Sequence, residues 1–334
     1  MSTFIERSVG CMLGAAFGDS LGAGVEFLTK EQILRQHGPR GIREPLGFPG
    51  CGRGSITDDT QQALCVAAAC LHGIRRAGGT HAPYEHIRRM IVEDAWIKLK
   101  QWKDMQDDPQ FSRSAGATSL MALTETLPGT FEHPINQSDS CGAVMRAHPI
   151  GLLYAGDPMH AFDLGMHVGA ITHGSPDGYA PAGALAAIIA RTLLGETIRS
   201  SITQAIELVR ARVPSATKTV SILEHALALK LSKTEADLGR HALGWNGWEA
   251  LAIGCVAAMR SSIDLVEACS FAATHDGDSD TTASIAGAIV GSKIGVNGIP
   301  HPWQHSLERA HELAQRGFDL QGLNEHIRAT CLRN

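Results

Sequence analysis

The sequence predicts an all-α protein, a compact orthogonal bundle of many helices, and three observations lead there. Strand-like alternation of apolar and polar residues is almost absent along the chain. The large strand-favouring aromatics are scarce, with 3 Tyr and 9 Phe in 334 residues, while Gly reaches 36. In two segments of helical period the small residues recur every fourth position, the pattern of helices that pack backbone to backbone. At 44% hydrophobic the chain can bury a large core, and length alone permits one or two domains.

Charge and cysteine usage narrow the class. A net charge of -5 without a Lys/Arg run gives no basic field, so nucleic acid is not expected as a partner. The 8 cysteines form no CxxC and no zinc-ligand spacing, and read as reduced thiols of a cytoplasmic protein. The first apolar stretch carries Glu6 and Asp19 and lacks a basic lead, so it is not read as a targeting segment. No uncharged run reaches the roughly 18 residues of a membrane span, so no membrane partner is expected.

In chain order, Glu6 to Ala23 has helical period, with Gly10, Gly14, Gly18 and Gly22 on one line. A glycine costs about 1 kcal/mol inside a helix, so this ridge predicts a second backbone lying against it. The segment after Asp280 repeats the device at Ala283, Gly287, Gly291 and Gly295, and the two helices are expected to pack together. Lys30 to His37 reads as a short helix and Gly38 to Ser55 as a Pro/Gly-rich loop. Thr57 to Gly73 is helical through Leu64, Val66 and the alanines. His81 to Lys103 is amphipathic, with Ile87, Ile91, Trp96, Ile97 and Trp102 toward a core.

Asp104 to Ser114 reads as a loop, Ala115 to Leu127 as a helix and Pro128 to Ser140 as another loop. From Ser138 to Leu152 a loop of small residues turns into a helix. Backbone amides there suit an anion such as pyrophosphate, although a plain helix cap explains the same pattern. Thr172 to Pro181 reads as a loop. Helices follow over Ala182 to Leu194, Ile198 to Arg212 and Thr217 to Leu231. From Gly239 to Trp248, Trp245 and Trp248 stand beside glycines in a loop suited to ring stacking or to core packing. Glu249 to Arg260 and Leu265 to Ala273 are helical. After Gly295 come a Pro-rich turn, a helix through His311 and Leu313, and a final short helix. No repeat of solenoid period is present.

Two acidic stretches dominate the chemistry, TDDT at Thr57 to Thr60 and HDGDSDTT at His275 to Thr282. Each places carboxylates where a loop becomes an apolar helix, and each alone reads first as a capped, dipole-matched helix start. Together they read differently. Consecutive aspartates exceed what one cap requires, and Asp58, Asp59, Asp278 and Asp280 facing one another would repel severely without a cation. Hard oxygen donors of this kind suit Mg²⁺, Mn²⁺ or Ca²⁺. An EF-hand is excluded, since Thr281 stands where its loop needs Gly and Gly287 where it needs the closing Glu. Glu26, at the exit of the first helix, reads equally as a surface carboxylate.

With GDSLGAGVEF, SITDDTQQAL, DSCGAVMR, THGSP, GWNGWEAL and GDSDTTASIAGAIVG in that order, from about Gly10 to Gly298, the chain resembles the ADP-ribosylglycohydrolase family, which includes the dinitrogenase-reductase-activating glycohydrolases. The resemblance implies a single all-α domain over 1–334 with a binuclear Mg²⁺ or Mn²⁺ site, removing ADP-ribose from modified protein side chains, arginine foremost. The implied metal ligands are Thr57, Asp58, Asp59, Asp278, Asp280 and Thr281, with Glu26, Asp58 and Asp59 as the catalytic group. Ser138, Ser140, Gly142, Met145 and His173 are implied to line the ADP-ribose cleft, with Trp248 against a ring. An ADP-ribosylated protein and ADP-ribose are the implied partners, and a monomer is expected. The aspartates are expected to be ionised, and a raised pKa is expected at Glu26 alone.

Ser114 and Cys141 depart from the nitrogenase-linked pattern, which usually has Asp near the first and Asn at the second. A single glycine precedes Asp278 where two are common. These departures leave arginine, serine and small-conjugate linkages open. Two other classes stay in view: a helical HD-type metal phosphohydrolase, from the His275–Asp276 pair, and a non-catalytic ADP-ribose-binding or toxin-immunity protein.

Overall fold

Helix starts in this molecule are set by side-chain caps, and the longest contacts by missing side chains. The computed structural model describes residues 2–230 and 242–331. The first helix, α1 (Phe4–Ala23), begins where Thr3 Oγ1 accepts from the Glu6 amide and Glu6 accepts from the Thr3 amide. Thr29 and Gln32 repeat this box at α2 (Lys30–His37). A glycine-rich loop leads to α3 (Asp58–Arg76), and α4 (Tyr84–Met105) starts after Pro83.

The helix expected over Ala115 to Leu127 is only α5 (Ala117–Ala122). Thr124 Oγ1 donates to the Met121 carbonyl, occupying an acceptor that a further helical turn would need. After α6 (His148–Leu153) and α7 (Pro158–Ala170) comes α8 (Pro176–Thr192), which corrects the loop expected from Thr172 to Pro181. Pro176 sits at the helix start, where an amide would have no helical partner. Pro181 is carried inside the helix among small, buried neighbours.

Next are α9 (Ile198–Arg212) and α10 (Thr217–Ala228); the Leu231 end expected for the latter lies outside the described residues, as do positions 239–241 of the Trp-bearing loop. The chain continues with α11 (Gly247–Arg260), α12 (Leu265–Ala273), α13 (Ser279–Ile294) and the one-turn α14 (Trp303–Ser306). It ends in α15 (Ala310–Cys331), a single 22-residue helix where two were expected. Gly317 does not break it, because that glycine is where α15 crosses α1. A Cβ there would lie 2.9 Å from the Ser8 carbonyl oxygen.

The central pair is α1 with α13, the most extensive helix contact in the molecule. The two run antiparallel, and the glycine ridges meet as the sequence predicts. A Cβ at Gly10 would stand 2.6 Å from the Gly291 oxygen. One at Gly14, Gly18 or Gly22 would fall on the carbonyls of Gly287, Ala283 or Ser279. Both helices are buried on all sides along most of their length, and α3, α8, α11, α12 and α15 pack around them. One contiguous apolar cluster extends from Cys11 to Leu320. Among the described residues there is no strand, only an antiparallel bridge between Ser140 and Asn246, and no helix is long and apolar enough to cross a membrane. Among the described residues the cysteines are free thiols.

Candidate active site where two acidic helix starts meet

Because α1 and α13 are antiparallel, the C-terminal end of α1 meets the first turn of α13, with Gly22 against Ser279 and Asp280. Asp19 of α1 brings in the third helix. Fully buried, its carboxylate accepts from the Thr57 amide (3.1 Å), the Thr57 hydroxyl (2.8 Å), the Thr60 amide (3.2 Å) and the Thr60 hydroxyl. One carboxylate thus fixes the start of α3 on α1. TDDT and GDSDTT, more than 200 residues apart in the chain, are held together by this three-helix junction.

The capping explanation accounts for part of each motif. Thr57 caps α3 and Asp278 caps α13, accepting from the Thr281 amide at 3.2 Å. Asp58 and Asp59 cap no helix amide and Asp280 shares the Thr281 amide with Asp278 (2.9 Å), yet all three are almost fully buried. Burial first, then the Asp280 charge, pushes Asp58 and Asp59 well above the ordinary carboxylate range. Burial and Asp278 do the same to Asp280, and Asp278 rises to about 6. The expectation of a raised pKa at Glu26 alone is therefore corrected. Carboxylates sharing a buried space cannot all ionise in the protein's own field, and the charges acting most strongly on Asp58, Asp59 and Asp280 are other carboxylates.

Asp59 Oδ1 is buried with no hydrogen-bond donor. Among the described residues no three His, Cys, Asp or Glu side chains converge as a ready chelate. Asp58 instead accepts from Gln62 Nε2 (2.8 Å), and Asp278 accepts from Cys141 Sγ (2.8 Å). Thr281 Oγ1 faces Cys141 Sγ and the Met145 thioether, each at 3.9 Å. Oxygen donors of this number and charge, one of them orphaned, match what a hard divalent cation requires.

Glu26, half-buried, joins the group from the end of α1. Burial raises it to about 9, with Asp280 and Asp19 adding to the shift, while a hydrogen bond from Ser114 opposes it. Ser114 has φ 58, and Phe27, which follows Glu26, has φ 67, so the backbone on both sides of this carboxyl is in the left-handed region.

Beside the acidic group lies a ledge of hydroxyls. Ser138 donates to Ser140 (3.1 Å), Ser140 to Thr118 (3.2 Å), and Thr118 Oγ1 is 3.2 Å from Ser138 Oγ, closing a ring. His173, buried, places Nε2 2.9 Å from Ser140 Oγ, and Gly142 leaves room for that ring, since a Cβ would come within 3.0 Å of its Cε1. Of the residues implied to line the cleft, Ser138, Ser140, Gly142 and His173 form this ledge, and Met145 borders Thr281.

Trp248 borders the ledge, donating to Asp139 (3.2 Å), between Ser138 and Ser140, with Lys218 over its ring. The exposed aromatic pair next to Glu26 is Phe27 stacked on Trp245, centroids 5.6 Å apart. The sequence reading named Trp245 but not its partner Phe27, and missed the roles of Asp19, Thr118, Gln62 and Arg146. Trp245 beside glycine was the one available signal. The His275–Asp276 pair splits: His275 Nε2 meets Thr282 Oγ1 at 3.0 Å, while Asp276 accepts from the Lys30 amide at the start of α2.

An all-helical frame that buries carboxylates from two distant helix starts beside a neutral polar ledge defines a class known from sequence. Residues 1–330 match the profile of ADP-ribosylglycohydrolases, and the chain belongs to that family, an enzyme acting on ADP-ribose linkages. In particular, the ADP-ribosyl-dinitrogen-reductase glycohydrolase of Rhodospirillum rubrum is 25% identical over 306 residues, covering 91% of this chain and 90% of that protein. ADP-ribosylarginine hydrolase Tri1 of Pseudomonas putida is 22% identical over 339 residues, covering 94% of this chain and 78% of that protein. A solved structure described as an ADP-ribosylglycohydrolase-related protein complex shares the fold, with a TM-score of 0.72 at 23% identity, covering 96% of this chain and 99% of that one.

Proposed function

We propose that this enzyme hydrolyses the N-glycosidic bond between ADP-ribose and arginine on modified proteins, as a cytoplasmic monomer using two divalent cations, Mg²⁺ or Mn²⁺. Thr57, Asp58, Asp59, Asp278, Asp280 and Thr281 are the proposed ligands. The observation that carries the reading is the buried set of mutually repelling aspartates with Asp59 Oδ1 left without a donor. The relatives named for dinitrogen reductase and for ADP-ribosylarginine favour the arginine linkage.

When bound, the cations would supply positive charge against the aspartates, orient the ribose hydroxyls and lower the pKa of a water. The chain's own residues do the rest. Glu26, raised to about 9 and held by Ser114, carries a proton at neutral pH. Its carboxyl delivers that proton to the departing guanidine nitrogen as the C1″–N bond breaks with oxocarbenium character, and the resulting carboxylate takes one from the attacking water. The Ser138–Ser140 ledge holds the diphosphate oxygens through neutral hydroxyl donors, with His173 buried behind Ser140. The Phe27–Trp245 pair offers the adenine a stacking surface beside that of Trp248.

The test is release of free ADP-ribose from ADP-ribosylarginine and ADP-ribosylserine peptides, with Mg²⁺ or with EDTA. Release from the arginine peptide is expected with Mg²⁺, and its loss with EDTA and in Asp58→Ala and Asp280→Ala. Release that survives EDTA would remove the metals from the account, and release from the serine peptide alone would reassign the linkage.

A further inference from the structure

A buried chain of hydrogen bonds joins the ledge to the acidic group, and the reaction as proposed makes no use of it. Its centre is Arg146, which has no exposed surface. Nη1 donates to Gln62 Oε1 (2.7 Å), and Nη2 donates to Thr172 Oγ1 (2.6 Å) and to the Val168 carbonyl (3.3 Å). From Gln62 the chain continues through Nε2 to Asp58 Oδ2 (2.8 Å). From Thr172 it continues to His173 Nδ1 (2.8 Å), and from Nε2 of that ring to Ser140 Oγ (2.9 Å).

A guanidinium has donors and no acceptor, so Arg146 makes Gln62 Oε1 and Thr172 Oγ1 accept, and among the described residues the Thr172 hydroxyl has His173 Nδ1 as its one other partner. On one side, the Thr172 oxygen accepts from Arg146 and its proton goes to His173 Nδ1. Burial, with the Arg146 charge adding to it, holds His173 down to about 3, so the ring is neutral and its proton sits on Nε2. Nε2–H points at Ser140 Oγ, which leaves the Ser140 proton directed away from the ring, toward Thr118 and the open side of the ledge. On the other side, the Gln62 amide has one allowed orientation. Its oxygen faces Arg146 and its NH₂ faces Asp58.

We propose that Arg146 is a positioning residue that sets the hydrogen-bond polarity of both halves of the site: through Thr172 it holds His173 as the Nε2–H tautomer and makes Ser140 a donor, and through Gln62 it holds the Asp58 carboxylate. A Ser140 hydroxyl fixed as donor suits an oxygen that only accepts, as on a diphosphate. A Gln62 NH₂ on Asp58 Oδ2, with the Gly116 amide also on this carboxylate, fixes its orientation for a cation. The ligand side of this inference rests on the ADP-ribose reading above; the tautomer does not.

The experiment labels the histidine ring nitrogens with ¹⁵N and reads His173 by long-range proton–nitrogen correlation, with the signal assigned through its loss in His173→Gln. Wild type is expected to show a protonated Nε2 and a bare Nδ1. Thr172→Val leaves the buried charge in place but removes the relay. It should mix the tautomers and weaken ADP-ribose binding about tenfold, the loss of one oriented hydrogen bond, with KM rising more than kcat falls. Thr172→Ser should restore both. Gln62→Leu should weaken Mn²⁺ binding and spare the His173 tautomer, a separation that general damage would not produce. A wild-type ring protonated on Nδ1, or Thr172→Val binding ADP-ribose as wild type does, would overturn the inference. A wild type inert toward ADP-ribose would instead overturn the functional reading, and the tautomer would still decide this one.

Discussion

The acidic centre and the hydroxyl ledge lie side by side, joined where Cys141 touches Asp278, yet they are built on opposite rules. In the centre, like charges are buried together and each raises the next, and Asp59 Oδ1 has no donor. On the ledge the groups are neutral and satisfied: three hydroxyls close a ring, and both His173 nitrogens have partners. A buried network that is half satisfied is costly, whereas a fully satisfied one is rigid. The comparison teaches that the centre carries carboxylates that the chain's own groups do not balance, while the hydrogen bonds of the ledge are closed within it.

The sharpest way to break this contrast is to neutralise the centre. Asp59→Asn and Asp280→Asn are expected to lower kcat by roughly 10²–10³-fold or more, by analogy with removing one preorganised group from an electrostatic site. In EDTA the same variants should melt no lower than wild type, because like-charge repulsion is relieved. Thermal unfolding with and without Mg²⁺ checks this, and a variant that melts far lower in EDTA would show the aspartates to be structural instead.

A second substitution should fail to distinguish the two regions, since both hang on the same helix pair. Gly287→Val would drive methyl groups into the Gly14 carbonyl, an overpacking expected to cost about 1–3 kcal/mol or more. Its melting temperature should fall regardless of metal, with Mn²⁺ and ADP-ribose affinities lost together.

The ledge alone responds more mildly. Ser140→Ala is expected to raise KM about tenfold with kcat nearly intact, the loss of one neutral hydrogen bond, while Mn²⁺ binding stays at the wild-type level.

The smallest effect is a pH slope. Glu26 stands at about 9 in the folded chain, above its unfolded value, so the folded state holds a proton that the unfolded state releases. The stability this contributes is complete below the unfolded pKa and is lost as pH rises through about 9. His148 and His173, pushed down to about 4 and about 3 by burial, are neutral in the folded state and uncharged on unfolding above about pH 7, so they add no slope there. In EDTA the melting temperature should therefore fall from about pH 7 to 9, and Glu26→Gln should reduce the fall, the rest coming from the raised Asp58, Asp59 and Asp280.

Much of the centre was legible because its signals are one-dimensional. A glycine every fourth residue needs no third dimension to announce a helix contact, and TDDT and GDSDTT carry more carboxylates than caps explain. The ledge was legible only in part. Arg146 in SCGAVMR looks like any helical arginine until its burial against Gln62 and Thr172 is seen, and the role of Asp19 depends on α3 arriving beside it. Pro181 reads as a break because local propensity favours it so, and packing overrode it. Trp248 and Trp245 could not be told apart by spacing, since what separates them is Phe27 on one side and Asp139 on the other.

The most direct measurement of the account is equilibrium Mn²⁺ binding, followed by electron paramagnetic resonance, in wild type, Asp59→Asn and Asp280→Asn. Two ions per chain with mutual coupling are expected in wild type, and loss of that coupled signal in each variant, although the altered residues belong to segments more than 200 positions apart. Wild-type protein that binds no Mn²⁺, or binding that neither substitution disturbs, would contradict it.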